Sequence, residues 1–206
     1  MKQSLFLLAV GLLCWTGAQA AIHEVTSDKS GTELQATIDA AEAGDEVRVQ
    51  AGTYIGNFTM KEGVNVSGGW NADFTEQTDY ATILDANASG RVVNQEAAFS
   101  TLTIWSNLTI QNGNVTGNGG GAWLCVNGQL KHCTITNNTS TGYGGGVGND
   151  ATGSVLIEDC IISSNTGVAG GGVRMKGEMR NSKIYSNNST AAGGGVVMLG
   201  GASMYN

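Results

Sequence analysis

A glycine triplet followed by a small apolar residue occurs four times in the second half of the chain. The copies begin at Gly119, Gly144, Gly170 and Gly193, at intervals of 23 to 26 residues, and each is followed by alanine or valine. One unit of this size cannot bury its own apolar face, so successive units must stack into a continuous core. The period therefore predicts a solenoid.

Short apolar strands occupy matching positions between the triplets. Parallel strands lie about 4.8 Å apart, so alignment of these strands predicts two inward ladders. The first contains Ile110, Ile135, Ile162 and Ile184, and the second contains Leu108, Cys133, Cys160 and Ser182.

An asparagine follows three residues after each of the last three isoleucines, at Asn138, Asn165 and Asn187, and stacked amides at these turns can bond between coils. Gly113 stands at the earlier matching site, so this ladder is expected to begin one coil later. A glycine series, Gly128, Gly153, Gly177 and Gly201, is expected to introduce the following strands.

The first twenty residues have the pattern of an export signal. Lys2 supplies the positive end, residues 5–13 the apolar stretch, and Ala18-Gln19-Ala20 a small-residue cleavage site. Cys14 follows Leu13, where lipoprotein processing requires a small residue, so ordinary cleavage is favoured. We therefore predict a signal peptide over 1–20 and a mature chain that begins at Ala21.

Charge and hydropathy narrow the range of partners. Loss of Lys2 with the leader leaves nine basic and seventeen acidic residues, a net charge of −8. An acidic chain is a poor match for nucleic acid. No second apolar run of about eighteen residues follows the leader, so no transmembrane span is expected in the mature chain.

The region 21–45 is predicted to form an N-terminal cap that contains one amphipathic helix. Thr32 and Gln35 fit a capping box, and Leu34, Ile38 and Ala41 form one apolar stripe that ends near Gly44. Strand-like alternation begins at residue 46, so 46–206 is assigned to solenoid coils.

Met204 aligns with Met179 and Leu130, which places the chain end in the middle of a strand and predicts truncation of a longer protein.

Several motifs resemble right-handed parallel β-helix proteins of the pectin-lyase-like superfamily. They are the stretch from Leu34 to Ala41, Gly44-Asp45-Glu46-Val47, Gly52-Thr53-Tyr54, Gly63-Val64-Asn65-Val66, Val66-Ser67-Gly68-Gly69-Trp70 and Thr82-Ile83-Leu84-Asp85. The Gly-Gly-Gly-Val and Ile-x-x-Asn units are similar to polymorphic outer membrane protein repeats, which place phenylalanine where this chain has the ladder isoleucine. The resemblance implies an all-β, right-handed parallel β-helix with a short N-terminal capping helix. It does not select an activity, because this fold carries lyases, hydrolases, adhesins and passenger domains.

Three outward residues are the candidates for catalysis. If Val173 and Met175 point inward, Arg174 and Lys176 point outward, and Asp150 lies beside them in the preceding coil. A basic residue and a cation are the types that a polysaccharide lyase on this fold uses against a uronate. We favour the alternative, an ion pair between stacked coils.

Binding and metal candidates are also few. Trp123 is expected to point outward beside Gly148 and Arg174, where it could offer a sugar-stacking surface, but a contact with a neighbouring loop is favoured. Asp73, Glu76 and Asp79 supply oxygen ligands for calcium, but their spacing matches no defined calcium loop, so a solvated acidic loop is favoured. No cofactor is expected, with calcium as the alternative.

Cys133 and Cys160 are expected on neighbouring coils. Their spacing permits a disulfide in an oxidising compartment, and buried reduced thiols are an equal alternative. Cys125, His132 and Cys133 contain metal-ligand types but lack a fourth partner, so no zinc site is expected.

Two functions from different classes follow from these expectations. The first is a non-enzymatic, adhesin-like scaffold, secreted or held at the cell surface or outer membrane, that contacts extracellular polysaccharide or a host or cell-surface glycan; a periplasmic location is left open. The second is a polysaccharide lyase or glycoside hydrolase. No paired carboxylates stand out, and an acidic surface repels polyuronates, so the scaffold is favoured.

Overall fold

The computed structural model describes residues 19–78, 82–149 and 152–205 and shows an all-β parallel solenoid with one helix in these ranges. The helix α1 is Gly31–Ala40. The first twelve strands are β1 Ile22–Val25, β2 Glu46–Gln50, β3 Gly52–Ile55, β4 Phe58–Thr59, β5 Asn65–Trp70, β6 Thr82–Asp85, β7 Val93–Asn94, β8 Thr103–Ser106, β9 Leu108–Gln111, β10 Asn114–Val115, β11 Ala122–Leu124 and β12 Gly128–Lys131. The next twelve are β13 Thr134–Thr136, β14 Thr139–Ser140, β15 Val147–Asn149, β16 Val155–Glu158, β17 Ile161–Ser163, β18 Thr166–Ala169, β19 Val173–Met175, β20 Gly177–Arg180, β21 Lys183–Tyr185, β22 Asn188–Ala192, β23 Val196–Met198 and β24 Ser203–Tyr205.

The strands form four parallel sheets. Sheet 1 has the order β1-β2-β5-β8-β12-β16-β20-β24, sheet 2 β3-β6-β9-β13-β17-β21, sheet 3 β4-β7-β11-β15-β19-β23 and sheet 4 β10-β14-β18-β22. From β2 onward, strands that follow each other in sequence belong to different sheets, whereas neighbours in a sheet come from successive coils. The chain therefore winds around one core, as the repeat predicts. No helix in the described ranges has the length and apolar character needed to cross a membrane.

The predicted isoleucine ladder is confirmed. Ile135 pairs in register with Ile110 on one side and Ile162 on the other, and Ile162 pairs with Ile184. The ladder extends toward the N-terminus through Leu84, which pairs with Ile110. Leu108, Cys133, Cys160 and Ser182 are buried beside it, as expected.

The glycine triplets permit close stacking of the coils. Gly144 has φ +64°, in the left-handed region that favours glycine. A Cβ on Gly145 or Gly146 would collide with a carbonyl oxygen of the next coil, and at Gly146 the distance to the Gly172 oxygen would be 2.6 Å. The first glycine therefore makes the turn, and the other two remove side chains from the stacking surface.

The asparagine ladder is also confirmed, and it begins where predicted. Asn138 Nδ2 donates to Asn165 Oδ1 at 3.0 Å, and Asn165 Nδ2 donates to Asn187 Oδ1 at 3.0 Å. At the start of the ladder, the Gly113 backbone N–H donates to Asn138 Oδ1 at 2.8 Å. Each amide thus satisfies backbone groups inside the solenoid, where unpaired groups are costly.

The predicted glycine series introduces the strands, but not at one fixed offset. Gly128 and Gly177 are the first residues of β12 and β20, whereas Gly153 and Gly201 lie two residues before β16 and β24. The register pairs Val155 with Gly177 and Glu178 with Ser203. Alignment of the buried side chains sets this register, because Met179 pairs with Ile157 and with Met204.

The helix N-cap lies two residues before the position that the sequence predicts. Ser30, not Thr32, is the N-cap: its backbone is extended, its Oγ accepts from the Glu33 N–H at 3.3 Å, and Glu33 Oε2 accepts from the Ser30 N–H at 2.8 Å. Thr32 already belongs to the first helical turn. The helix ends at Ala40 rather than near Gly44, while Leu34, Ile38 and Ala41 are buried as predicted.

Candidate ligand-binding face

Sheet 3 presents one column of outward side chains across several coils. Trp123 pairs in register with Asn94 on one side and with Gly148 on the other, and Gly148 pairs with Arg174. The alternation within each strand buries Ala122 and Leu124, Val147, and Val173 and Met175, which turns the column outward. We call Arg91, Asn94, Trp123, Tyr143, Gly148 and Arg174 the Trp123 face.

Trp123 lies against the neighbouring coil and stays half-exposed. A Cβ on Gly148 would be 3.1 Å from both Cε3 and Cζ3 of the indole, so the ring covers the position where another residue would have a side chain. The predicted outward orientation beside Gly148 is confirmed. The ring contacts a strand of the next coil at Gly148. Contact with a neighbouring loop stays a prediction.

Arg91 holds the upstream side of the Trp123 face. Its guanidinium donates to three oxygens: Nε to Gly119 O at 2.9 Å, Nη1 to Asn94 Oδ1 at 2.7 Å and Nη2 to Asn118 O at 2.7 Å. Its Cζ lies 5.9 Å from the centroid of the Trp123 ring. Burial lowers the pKa of Arg91 from its ordinary value. Because arginine stays protonated in proteins, these bonds place a fixed positive charge beside the indole.

Arg174 and Tyr143 form the downstream side. The Arg174 guanidinium carbon lies 4.1 Å from the centroid of the Tyr143 ring, and that ring is 41% exposed. Among the described residues, no carboxylate forms an ion pair with Arg174. A guanidinium that lies over an aromatic ring keeps its N–H donors available to other partners at the edge of the ring.

The structure describes two of the three catalytic candidates. Arg174 and Lys176 both face outward at half-buried positions, as predicted. The Lys176 backbone is held by the buried Asn149, whose Oδ1 accepts from the Lys176 N–H at 2.9 Å and whose Nδ2 donates to its carbonyl at 2.9 Å. Asp150 lies outside the described residues, so the expected ion pair between coils stays a prediction.

The acidic loop after Trp70 is organised by an amide. Asn71 Oδ1 accepts from the backbone N–H groups of Thr75 and Glu76 at 2.9 and 3.2 Å, and Asp73 accepts from Thr75 Oγ1 at 2.7 Å. That hydroxyl lowers the pKa of Asp73. Asp79 lies outside the described residues. Among those that are described, no group of three or more His, Cys, Asp or Glu side chains is arranged to hold a metal ion.

Cys133 and Cys160 are neighbours in the second ladder, as predicted. Both thiols are free and buried, and the Cys133 N–H donates to Cys160 Sγ at 3.4 Å. Burial, together with the adjacent Cys133, raises the pKa of the Cys160 thiol well above its ordinary value. The structure therefore shows the reduced arrangement, and a disulfide between the two stays a prediction.

Sequence reasoning found Trp123 and Arg174 but missed Arg91, Asn94 and Tyr143. Tyr143 immediately precedes a glycine triplet, which is the one signal that points to its position on a coil edge. Arg91 and Asn94 lie in a coil without a triplet, so no repeat aligns them with the others. Comparison with known proteins adds no assignment: no family model matches the chain, and no curated protein or solved structure is significantly similar to it.

Proposed function

We propose that this chain is an exported, non-enzymatic β-solenoid that binds extracellular glycan through the Trp123 face. The observation that carries the proposal is the half-exposed Trp123 indole, which lies against Gly148 with no side chain between them. A sugar ring has an apolar face and a polar rim, and aromatic side chains pack against such a face. The rigid coil beneath the indole keeps the platform ordered before a ligand arrives, which lowers the entropic cost of binding.

Charge favours an acidic glycan over a neutral one. The chain has a net charge of −7, yet the described residues of the Trp123 face include two arginines and no acid. The Arg174 guanidinium, held over Tyr143, has donors that match a uronate carboxylate in bidentate geometry. Successive coils are about 4.8 Å apart, so Trp123 and Arg174 stand about 10 Å apart along the solenoid and can contact different sugars of one polymer.

The test is binding of the purified chain to a polyuronate and to a neutral glucan, measured by isothermal titration calorimetry. We expect Trp123→Ala and Arg174→Gln each to weaken polyuronate binding about tenfold, which corresponds to about 1.4 kcal/mol. The matched control is Trp70→Ala, because Trp70 also has an arginine over its ring, with Arg48 Cζ at 4.3 Å, but lies in sheet 1. Equal losses in all three variants, or no binding by the unaltered chain, would refute the proposal.

The enzymatic alternative is a polysaccharide lyase or glycoside hydrolase, and a separate assay tests it. Incubation with pectate or alginate, with and without calcium, is monitored for the ultraviolet absorbance of unsaturated products and for reducing ends. We expect no turnover. Cleavage that Arg174→Ala or Lys176→Ala abolishes would overturn the non-enzymatic assignment.

We further propose that the solenoid is right-handed and belongs to the pectin-lyase-like superfamily, with coils similar to polymorphic outer membrane protein repeats. The support is the set of motifs from Leu34 to Asp85 together with the parallel coils that contain them. The leader-like segment over 1–20 supports export to the cell surface or the medium.

A further inference from the structure

Asp45 has an almost fully buried carboxylate at the start of the first coil. The residue is 8% exposed, and three groups surround its oxygens. Oδ1 accepts from the Ala21 backbone N–H at 2.7 Å, while Oδ2 accepts from the Glu42 backbone N–H at 2.9 Å and lies 2.9 Å from His23 Nε2. The bonds from His23, Glu42 and Ala21 lower the pKa of Asp45 to about 2, so the group is an anion at neutral pH.

This anion lacks a permanent cationic partner. In the part of the chain that the structure describes, no lysine or arginine forms an ion pair with Asp45; the imidazole of His23 is the only titratable partner. The nearby Arg48 is engaged by Glu46, with its Nε 3.1 Å from the Glu46 carboxylate. His23 and two backbone N–H groups already stabilise the Asp45 anion, and a permanent cation beside Oδ1 would add an electrostatic attraction to these bonds.

The hydrogen-bond donor to Asp45 Oδ1 is the backbone nitrogen of Ala21, the predicted mature N-terminus. Ala20 and Ala21 are both exposed, and β1 begins one residue later at Ile22, so the bond between them lies just outside the folded solenoid. The Ala21 carbonyl oxygen accepts from the Glu46 N–H at 2.9 Å, which fixes the peptide on its other side. The Ala21 nitrogen is therefore held at hydrogen-bond distance from a buried anion.

We infer that Asp45 is a binding site for the α-ammonium group that export processing creates at Ala21. In that step water adds across the Ala20–Ala21 amide and the C–N bond breaks. The oxygen of the water goes to the Ala20 carbonyl carbon, which becomes part of a carboxylate, and the Ala21 nitrogen takes up both protons of the water to become an ammonium. The nitrogen already lies 2.7 Å from Oδ1, so its new charge meets the carboxylate without rearrangement. Processing gives a full positive charge to a donor that already faces an anion, so an electrostatic attraction between the two charges adds to this hydrogen bond and stabilises the first strand on the solenoid.

The first experiment identifies the mature end and then displaces its charge. The full chain is exported from a bacterial host, and its N-terminus is determined by sequencing and intact mass; we expect Ala21. A second protein has one additional glycine before Ala21, which moves the ammonium away from Asp45. We expect this extension to lower the melting temperature by about 2–4 °C, the effect of one such bond in a chain of this length. The same extension should have no effect in the Asp45→Asn background, whereas the control Glu42→Gln, which removes an exposed charge from the same loop, should preserve the loss.

A second measurement does not depend on the folding of any variant. The α-amine of ¹⁵N-alanine-labelled mature protein is titrated by NMR. The titratable groups around it are His23, Glu42, Asp45 and Glu46, and Asp45 Oδ1 lies closest. We expect the pKa of the amine to rise above the ordinary value of about 7.7–8.0. The stabilisation is then fully present below that ordinary value and lost as pH rises through the raised one. A mature end elsewhere, an amine pKa at or below the ordinary value, or an equal effect of the extension with and without Asp45 would overturn the inference.

Discussion

The substitution Gly146→Ala tests whether coil stacking requires the glycine triplets. In Gly146→Ala the new Cβ would lie 2.6 Å from Gly172 O and 2.9 Å from Asn165 Nδ2, whereas ordinary contact begins at 3.4 Å. The coils would have to separate locally by about 0.8 Å. The bonds from the N–H groups of Gly146 and Val147 to Gly172 O, now 3.0 and 2.9 Å long, would then exceed hydrogen-bond distance. Overpacking costs about 1–3 kcal/mol and each of the two lost bonds about 0.5–1.5 kcal/mol, so we expect destabilisation by about 2–6 kcal/mol.

Gly195→Ala is the matched control, because Gly195 is the third glycine of the last triplet. Its added Cβ would meet only Ile184 Cγ2 at 3.4 Å, an ordinary contact. Neither Gly146 nor Gly195 has a positive φ, so alanine is compatible with both backbones. We expect Gly195→Ala to be neutral or to stabilise by about 0.4–1 kcal/mol through the unfolded state. Urea and thermal unfolding, monitored by circular dichroism, measure both effects, and Gly146→Ala should lower the melting temperature by about 4–24 °C. Equal destabilisation by the two variants would refute the stacking argument.

Three further predictions concern the turns, the helix and one buried phenol. Asn165→Ala should cost at least about 3 kcal/mol in urea unfolding, because it leaves several buried groups of neighbouring coils unpaired, while the exposed Asn188→Ala should cost little. Ser30→Ala should lower the unfolding free energy by about 1 kcal/mol and Thr32→Ala by much less, and the reverse order would contradict the observed cap. Burial raises the pKa of Tyr54 to about 12, so its neutral form stabilises the fold fully below about pH 10 and this contribution is lost as pH rises toward 12. Melting temperatures across this range should show an alkaline decline that Tyr54→Phe reduces, and an unchanged decline would contradict the assignment.

The ladders were predictable because a solenoid repeats one local environment. Once the triplets set the period, the inward positions of successive coils had to coincide, and Ile110, Ile135 and Ile162 pair as expected. The same alignment placed Trp123 outward beside Gly148. The offset of the glycine from its strand differs at Gly153 because a loop can change length between coils without altering the register of the buried side chains. The capping box failed by two residues because Ser30 and Thr32 both fit the pattern, and only the backbone conformation distinguishes them.

By itself the sequence determined the architecture: a chain with in-register apolar positions every coil buries them only by stacking parallel strands, and the triplets remove the side chains that would prevent it. The tertiary structure alone decided which residues of different coils meet. Arg91 reaches the carbonyls of Asn118 and Gly119 in the next coil, and the carboxylate of Asp45 meets the nitrogen of Ala21 across 24 residues. These contacts depend on loop geometry and side-chain reach, which have no period, so no repeat in the sequence could indicate them.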